Sequence, residues 1–315
     1  MYEGTVLLIN IQDDILKIQS MGLLDGLLVD KTTKQNIIWA TDAYNELGEP
    51  FRRDKEIRTE LITGDNTDVI KTRARKALEQ QSERTRKRAE VFTPLWICRD
   101  MNDQADKIWF DSPDAFFREG LPTEHVYFPE GKTWKDYVTS TRLEITCGEA
   151  PFLVSRYNME NGEVVPVSER VGMLDRKLRV VTENTTTKSE WAQWAIKAVQ
   201  ATYGYEFQGD NVLISRVNVL MSVEEHMEAR WRKKPTKAEY RKLINIIAWN
   251  IWQMDGITET IPYRRPESKY TQESIFALLG MEPDPYEQES KPLCHIYDWA
   301  ANRSIEYASL RKVRE

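Results

Sequence analysis

Cysteine, histidine and long apolar runs are scarce in this chain, and each scarcity removes a class of function. Cys98, Cys147 and Cys294 are its three cysteines. Odd in number and far apart, they predict neither a disulfide framework nor a zinc site, and a reducing cytoplasm is the expected setting. His125, His226 and His295 stand isolated, so no Ser, Cys and His arrangement for covalent catalysis is visible. No glycine-rich loop ends in Lys-Ser or Lys-Thr, which removes the P-loop phosphate cradle. Asp13, Asp14, Glu60 and Lys71 are residue types of a metal-dependent nuclease, but without a recognisable spacing. No apolar stretch reaches the roughly 18 residues that suggest a membrane span. The opening MYEGTVLLINIQDDIL lacks the basic, apolar and small-residue succession of a secretory leader.

Aromatic and charged residues are plentiful. Ten Trp and thirteen Tyr sit in a chain that is 41% hydrophobic and 30% charged, with mean hydropathy −0.58. That composition predicts a folded globule rather than a disordered chain. A length of 315 residues allows one large α/β domain or two ordinary ones. The formal net charge of −6 argues against unselective coating of nucleic acid, so contact with DNA requires a local basic patch. Residues 71–88 supply one: eight basic residues, among them Arg73, Arg75, Lys76, Arg84, Arg86, Lys87 and Arg88, against two acidic ones. With good helix formers and no Gly or Pro, the stretch predicts a helix or ordered arm, either a solvated face or a phosphate-contacting element.

Along the chain, residues 5–29 read as a short strand and a helix closing on Gly22 and Gly26, and Lys31-Thr32-Thr33-Lys34 reads as a hairpin turn. Beyond Val91 the pattern becomes strand, turn, helix, strand. TRLEITCG (141–148) is a strand entering a glycine turn. WAQWAIKAVQATYG (191–204) is a helix stopping at Gly204, DNVLISRVNVL the next helix, and LINIIAWNIWQMDGI a helix passing into a strand. This rhythm predicts a parallel sheet with crossover helices.

Three strands are thus expected to finish at acids: Glu144 before the Gly148 turn, Glu206 in YGYEFQ, and Asp255 in NIWQMDGI. A glycine turn lets backbone approach a ligand, and a strand-end carboxylate accepts the two hydrogen bonds of a ribose diol.

Ala89-Glu90-Val91-Phe92-Thr93-Pro94-Leu95 resembles the segment preceding the cofactor domain of adenine-N6 DNA methyltransferases from restriction-modification systems. LEITCGEAPFL, YGYEFQGDNVLISRVNVL and NIWQMDGI are similar to that family's first three cofactor motifs. NIIWATDAY, ELITGD and RLEITCGEAPFLVSRYN look like bacterial proteins described as restriction endonuclease or methylase subunits. The resemblance implies a Rossmann-like S-adenosylmethionine-dependent methyltransferase sheet over residues 91–315, with an insertion near 155–190, preceded by an N-terminal α+β region over 1–90. It implies double-stranded DNA as partner, together with a restriction or specificity subunit. Phe92, Thr93 and Pro94 would flank the methionine end of S-adenosylmethionine, and Gly148 with Glu144 would lie beneath the cofactor. Glu206 would hold the ribose and Asp255 the adenine. Arg176, Lys177 and Arg179 in the insertion are expected either as a second DNA-facing element or as part of a hairpin packed on the sheet.

Two departures stand out. Ala150 occupies a position where the family commonly has a second glycine, so its Cβ would narrow the approach to the cofactor. The family's catalytic Asn/Asp-Pro-Pro-aromatic loop is absent, for none of the thirteen prolines is followed by another. Asp284-Pro285-Tyr286 is the nearest approach, and the Leu293–Trp299 strand is a second segment considered for the same place. The expectation therefore divides between an adenine methyltransferase, alone or completed by a partner, and a catalytically inactive DNA-binding or regulatory protein on the same fold, from a restriction complex or a phage.

Overall fold

The computed structural model describes residues 7–76, 93–263 and 292–314. It is a mixed α/β structure with a three-stranded parallel sheet at its centre. The sheet is formed by β3 (Arg142–Glu144), β4 (Thr202–Glu206) and β5 (Ile251–Gln253), in that spatial order. Two antiparallel hairpins have ladders of their own: β1 (Phe117–Arg118) with β2 (Leu121–Pro122), and β6 (His295–Asp298) with β7 (Arg303–Glu306). The 293–299 segment is thus a strand, as expected, but in a hairpin of its own rather than in the parallel sheet.

Crossovers carry the helices. Between β3 and β4 lie α5 (Met173–Asn184) and α6 (Lys188–Gln200); between β4 and β5 lie α7 (Gly209–Trp231) and α8 (Lys237–Asn250). Local sequence explains their starts. The Thr187 hydroxyl accepts the Glu190 amide at the head of α6, and Thr236 with Glu239 forms a reciprocal capping box at the head of α8. Gly204, expected to stop α6, instead lies within β4, because the helix ends at Gln200 and the chain turns directly into the strand. Before the sheet come α1 (Ile11–Ser20), α2 (Leu24–Leu28), α3 (Leu95–Phe110) and α4 (Trp134–Thr139).

The described residues of 1–90 share their core with the sheet. One buried cluster joins Ile11, Leu27, Trp39 and Ile57 to Leu178, Val217, Ile247 and Ile251. The 29–36 hairpin is present through the Val29 and Asn36 bridge, and the chain after it docks on the sheet. The Gln253 side chain imitates a strand partner there: its Oε1 accepts from the Ile38 amide at 2.9 Å and its Nε2 donates to the Ile38 carbonyl at 2.8 Å. Beside it, Gly209 donates to the Trp39 carbonyl, and a Cβ on that glycine would lie 1.9 Å from the Ile38 oxygen. Only glycine permits so close an approach.

Residues 155–172 form an antiparallel excursion in which Tyr157 bridges Val164, and Glu163 in turn bridges Leu8. The helix after it, α5, is buried along most of its length. Arg176, Lys177 and Arg179 thus lie on a packed helix, where the sequence suggested a DNA-facing element or a hairpin.

Gly209→Ala is expected to lower stability by about 2–4 kcal/mol, within the range for overpacking a tight backbone contact. Gln253→Leu, which orphans both backbone groups of Ile38, is expected to cost about 2–3 kcal/mol. Denaturant melts followed by tryptophan fluorescence measure both; a change below about 0.5 kcal/mol in either variant would contradict this account of the docking.

Candidate functional site

The carboxyl ends of β3, β4 and β5 lie side by side, with Glu144 paired in register to Gly204, and Glu206 to Gln253. Glu144 and Glu206 each finish a strand, as the sequence indicates, and both are buried. Glu144 turns back beneath the following turn and accepts from the Phe152 and Leu153 amides at 3.4 and 3.1 Å. Burial pushes its carboxyl well above the ordinary carboxylate range, and the nearby Glu206 adds to the rise against those two hydrogen bonds. Glu206 accepts from the Gly148 amide at 2.9 Å and from the Gln208 amide at 3.1 Å. The acid of the middle strand and the glycine turn of its neighbour are therefore in direct contact.

The turn itself is unusual. Thr146, Gly148 and Ala150 all have left-handed backbone, with φ of 47°, 55° and 65°. Ala150 thus holds a glycine-type conformation without being glycine. Open space lies on the Cα of Gly148, for a Cβ there would meet nothing within 4 Å. Gly204 on β4 packs against the turn, where a Cβ would lie 3.2 Å from Cys147 Sγ and from Leu153. From the other side, Asn102 on α3 donates to the Phe152 and Val171 carbonyls, fixing the turn to the helix that Thr93 and Pro94 introduce.

Asp255 lies two residues past β5. Its Oδ1 accepts from the Ile257 and Thr258 amides at 2.9 and 3.3 Å, the geometry of a turn-forming aspartate. Phe92, Asp284, Pro285 and Tyr286 fall outside the described residues, as do Arg84, Arg86, Lys87 and Arg88.

The remaining basic candidates divide. Arg75 is exposed and reaches Asn10. Arg73 and Lys76 are buried at the site: the Arg73 amide donates to Glu149 of the turn, and Lys76 Nζ is 3.5 Å from Asp210 in the first turn of α7. Tyr44 also donates to that aspartate, at 2.6 Å. Arg176 and Lys177, expected as a DNA-facing pair, are instead 1% and 0% exposed. Arg176 bonds Asp106 and Asp103 at 2.8 and 2.7 Å, and Lys177 donates to the Ser140 and Ala201 carbonyls at the ends of α4 and α6. Arg179 pairs with Glu183 and donates to the Phe116 and Thr123 carbonyls. The donors of Arg176 and Lys177 are engaged inside the protein, so neither can meet phosphate in this fold.

A second charged cluster escaped sequence reasoning because its members are far apart in the chain. Arg156 joins Asp14 and Glu225; Arg170 joins the same Glu225; and Asp175 accepts from Ser155 and contacts His226 at 3.0 Å. Ser155, Asp175 and His226 are the residue types of a hydrolase triad in the wrong order. The aspartate stands between serine and histidine, so the imidazole cannot take the hydroxyl proton. Burial alone would raise the Glu225 carboxyl, but Arg156 and Arg170 outweigh it and hold it at about 2. Among the described residues no group of three or more His, Cys, Asp or Glu side chains is placed to hold a metal ion. No helix among them is long and apolar enough to cross a membrane.

Comparison of the chain with protein-family models, with curated proteins and with solved structures gives no match.

Because the folded pKa of Glu225 lies below its ordinary 4.5, its contribution is present above that pH and fades as pH falls towards about 2. Glu225→Gln is expected to lower stability at neutral pH by roughly 3 kcal/mol and to flatten the acid limb of the stability profile. Chemical denaturation from pH 7 to pH 2 tests this, and an unchanged acid limb would count against the network. Ala150→Gly is expected to raise stability by up to about 1 kcal/mol by relieving the left-handed alanine; a clear loss would show that the methyl group is required for packing.

Proposed function

We propose that this chain is an S-adenosylmethionine-binding, DNA-associated protein of the adenine-N6 methyltransferase type, working in a restriction-modification system. The observation that carries the proposal is the meeting of the Gly148 turn with Glu206 at the carboxyl edge of a parallel sheet, where α/β sheets bind nucleoside cofactors. The residues fit such a ligand. The open space on Gly148 admits a group close to the backbone, and the Glu206 carboxylate, bonded to the Gly148 amide, stands beside it.

In this reading Glu144 is a positioning residue, holding the turn through the Phe152 and Leu153 amides. Phe92, Thr93 and Pro94 flank the methionine end, and Asp255 lies toward the adenine. The cofactor, when bound, supplies an electrophilic methyl group. Double-stranded DNA is met by Arg75 with Arg84, Arg86, Lys87 and Arg88, whose charges would displace counterions from phosphate. The Rossmann-like arrangement of the whole sheet belongs to the same proposal.

A second reading follows from the absent Pro-Pro loop. Without a rigid loop to orient the target amino group, the chain alone would bind cofactor and DNA but not transfer methyl. It would then be a regulatory subunit, or one half of an enzyme whose restriction or specificity partner supplies the loop.

Calorimetric titration with S-adenosylmethionine is expected to show binding, weakened at least tenfold by Glu206→Gln; no heat at millimolar ligand would sink the proposal. With binding established, methyl transfer to mixed-sequence DNA, with and without the product of the neighbouring reading frame, separates an autonomous enzyme, a split enzyme and an inactive subunit. Replacing Arg84, Arg86, Lys87 and Arg88 together by Ala should flatten the salt dependence of DNA affinity. An unchanged slope would remove that segment from the interface.

A further inference from the structure

The helix α3 is inverted relative to an ordinary surface helix. Its buried face includes the polar residues Asn102 and Asp106, which bond the turn carbonyls and the Arg176 guanidinium, while Met101 and Ile108 on the opposite face are 57% and 85% exposed. Ile97, Met101, Gln104 and Ile108 follow spacings of four, three and four residues. At 3.6 residues per turn they share a stripe about 60° wide along the helix. This is the spacing of a two-helix coiled-coil seam, with Ile97 and Gln104 in one core position and Met101 and Ile108 in the other.

The charges beside the seam state which way a partner runs. Asp100 and Lys107 occupy the same flanking position one heptad apart, just before Met101 and Ile108, while the opposite flank carries Ala105 and Cys98, the latter buried in the chain's own core. In a parallel pair the two flanks face each other, so Asp100 and Lys107 would meet uncharged residues. In an antiparallel pair each flank faces its own kind, and Asp100 of one copy meets Lys107 of the other, twice by symmetry. In that direction the core layers are Ile97 on Ile108 and Met101 on Gln104. Asp100 has a half-buried Arg99 at 3.8 Å on its own helix, a weak competitor at that distance.

We infer that α3 is a self-association helix, through which two copies of this chain pair antiparallel about a two-fold axis crossing the middle of the helix. The seam is self-complementary in charge, one condition for an isologous contact. A helix of 16 residues is about 24 Å long, which places the contact at the small end of stable interfaces and makes the dimer reversible. Since Asn102 on the same helix fixes the Gly148 turn, pairing would also brace that turn from outside. The inference is independent of the cofactor reading.

Sedimentation equilibrium of the full chain across the micromolar range tests it. A monomer and dimer equilibrium is expected. Asp100→Lys and Lys107→Asp, each turning two attractions into two repulsions, should weaken it by roughly tenfold. The double variant D100K/K107D, which restores opposite charges in the antiparallel register alone, should recover most of the loss. Ile108→Asp should leave monomer, with an unchanged circular dichroism spectrum showing that the fold survives. A wild-type chain that stays monomeric, or a double variant no better than the single ones, would overturn the inference.

Discussion

The guanidinium of Arg216 joins the three parts of the molecule that must meet for the sheet to form. It is wholly buried on α7 and donates to the Leu27 and Val29 carbonyls at the end of α2, and to the Ala248 and Ile251 carbonyls at the end of α8. Helix carboxyl ends carry partial negative charge, so two converging helix ends compensate a cation that has no carboxylate among those four acceptors. Burial brings its pKa down to about 10, which still leaves it charged at neutral pH. With α2 and α8 anchored to the same side chain, residues 36–40 come to lie beside β5, where Gln253 receives them. The seat on Gly209 and the alignment of the strand ends follow from that placement.

The same device explains where the sequence reading of basic residues went astray. Arg176 and Lys177 have the composition of a surface patch, yet both are interior, as Arg216 is, and Lys177 and Arg216 are bonded to carbonyls at helix ends. Whether a lysine meets water or a helix terminus depends on acceptors 24 or more residues away, such as Ala201 for Lys177. Local spacing carries no trace of that distance. Burial also explains the acids. Glu144 and Glu206 were legible as strand ends because the apolar runs before them are short and end cleanly, but a sequence cannot say that their oxygens would hold a neighbouring turn.

Legibility was greatest where the local rule is strict. The strand, turn and helix rhythm was readable from the apolar runs around residues 141–148 and 243–257. Ala150 lies between these cases: the substitution was visible, and the left-handed backbone that gives it meaning was not. The docking of the N-terminal residues was invisible, because its two specific contacts, Gln253 with Ile38 and Gly209 with Trp39, look in sequence like an ordinary strand residue and an ordinary helix start.

Those contacts also order events during synthesis. Ile38 and its partner Gln253 are 215 residues apart, so a ribosome adding about 5–20 residues per second makes the first roughly 10–40 seconds before the second. Through that interval Trp39, Ile57 and the apolar face of α1 have no sheet to cover them. The nascent N-terminal region therefore waits with its apolar surface uncovered until the sheet that buries it has been made.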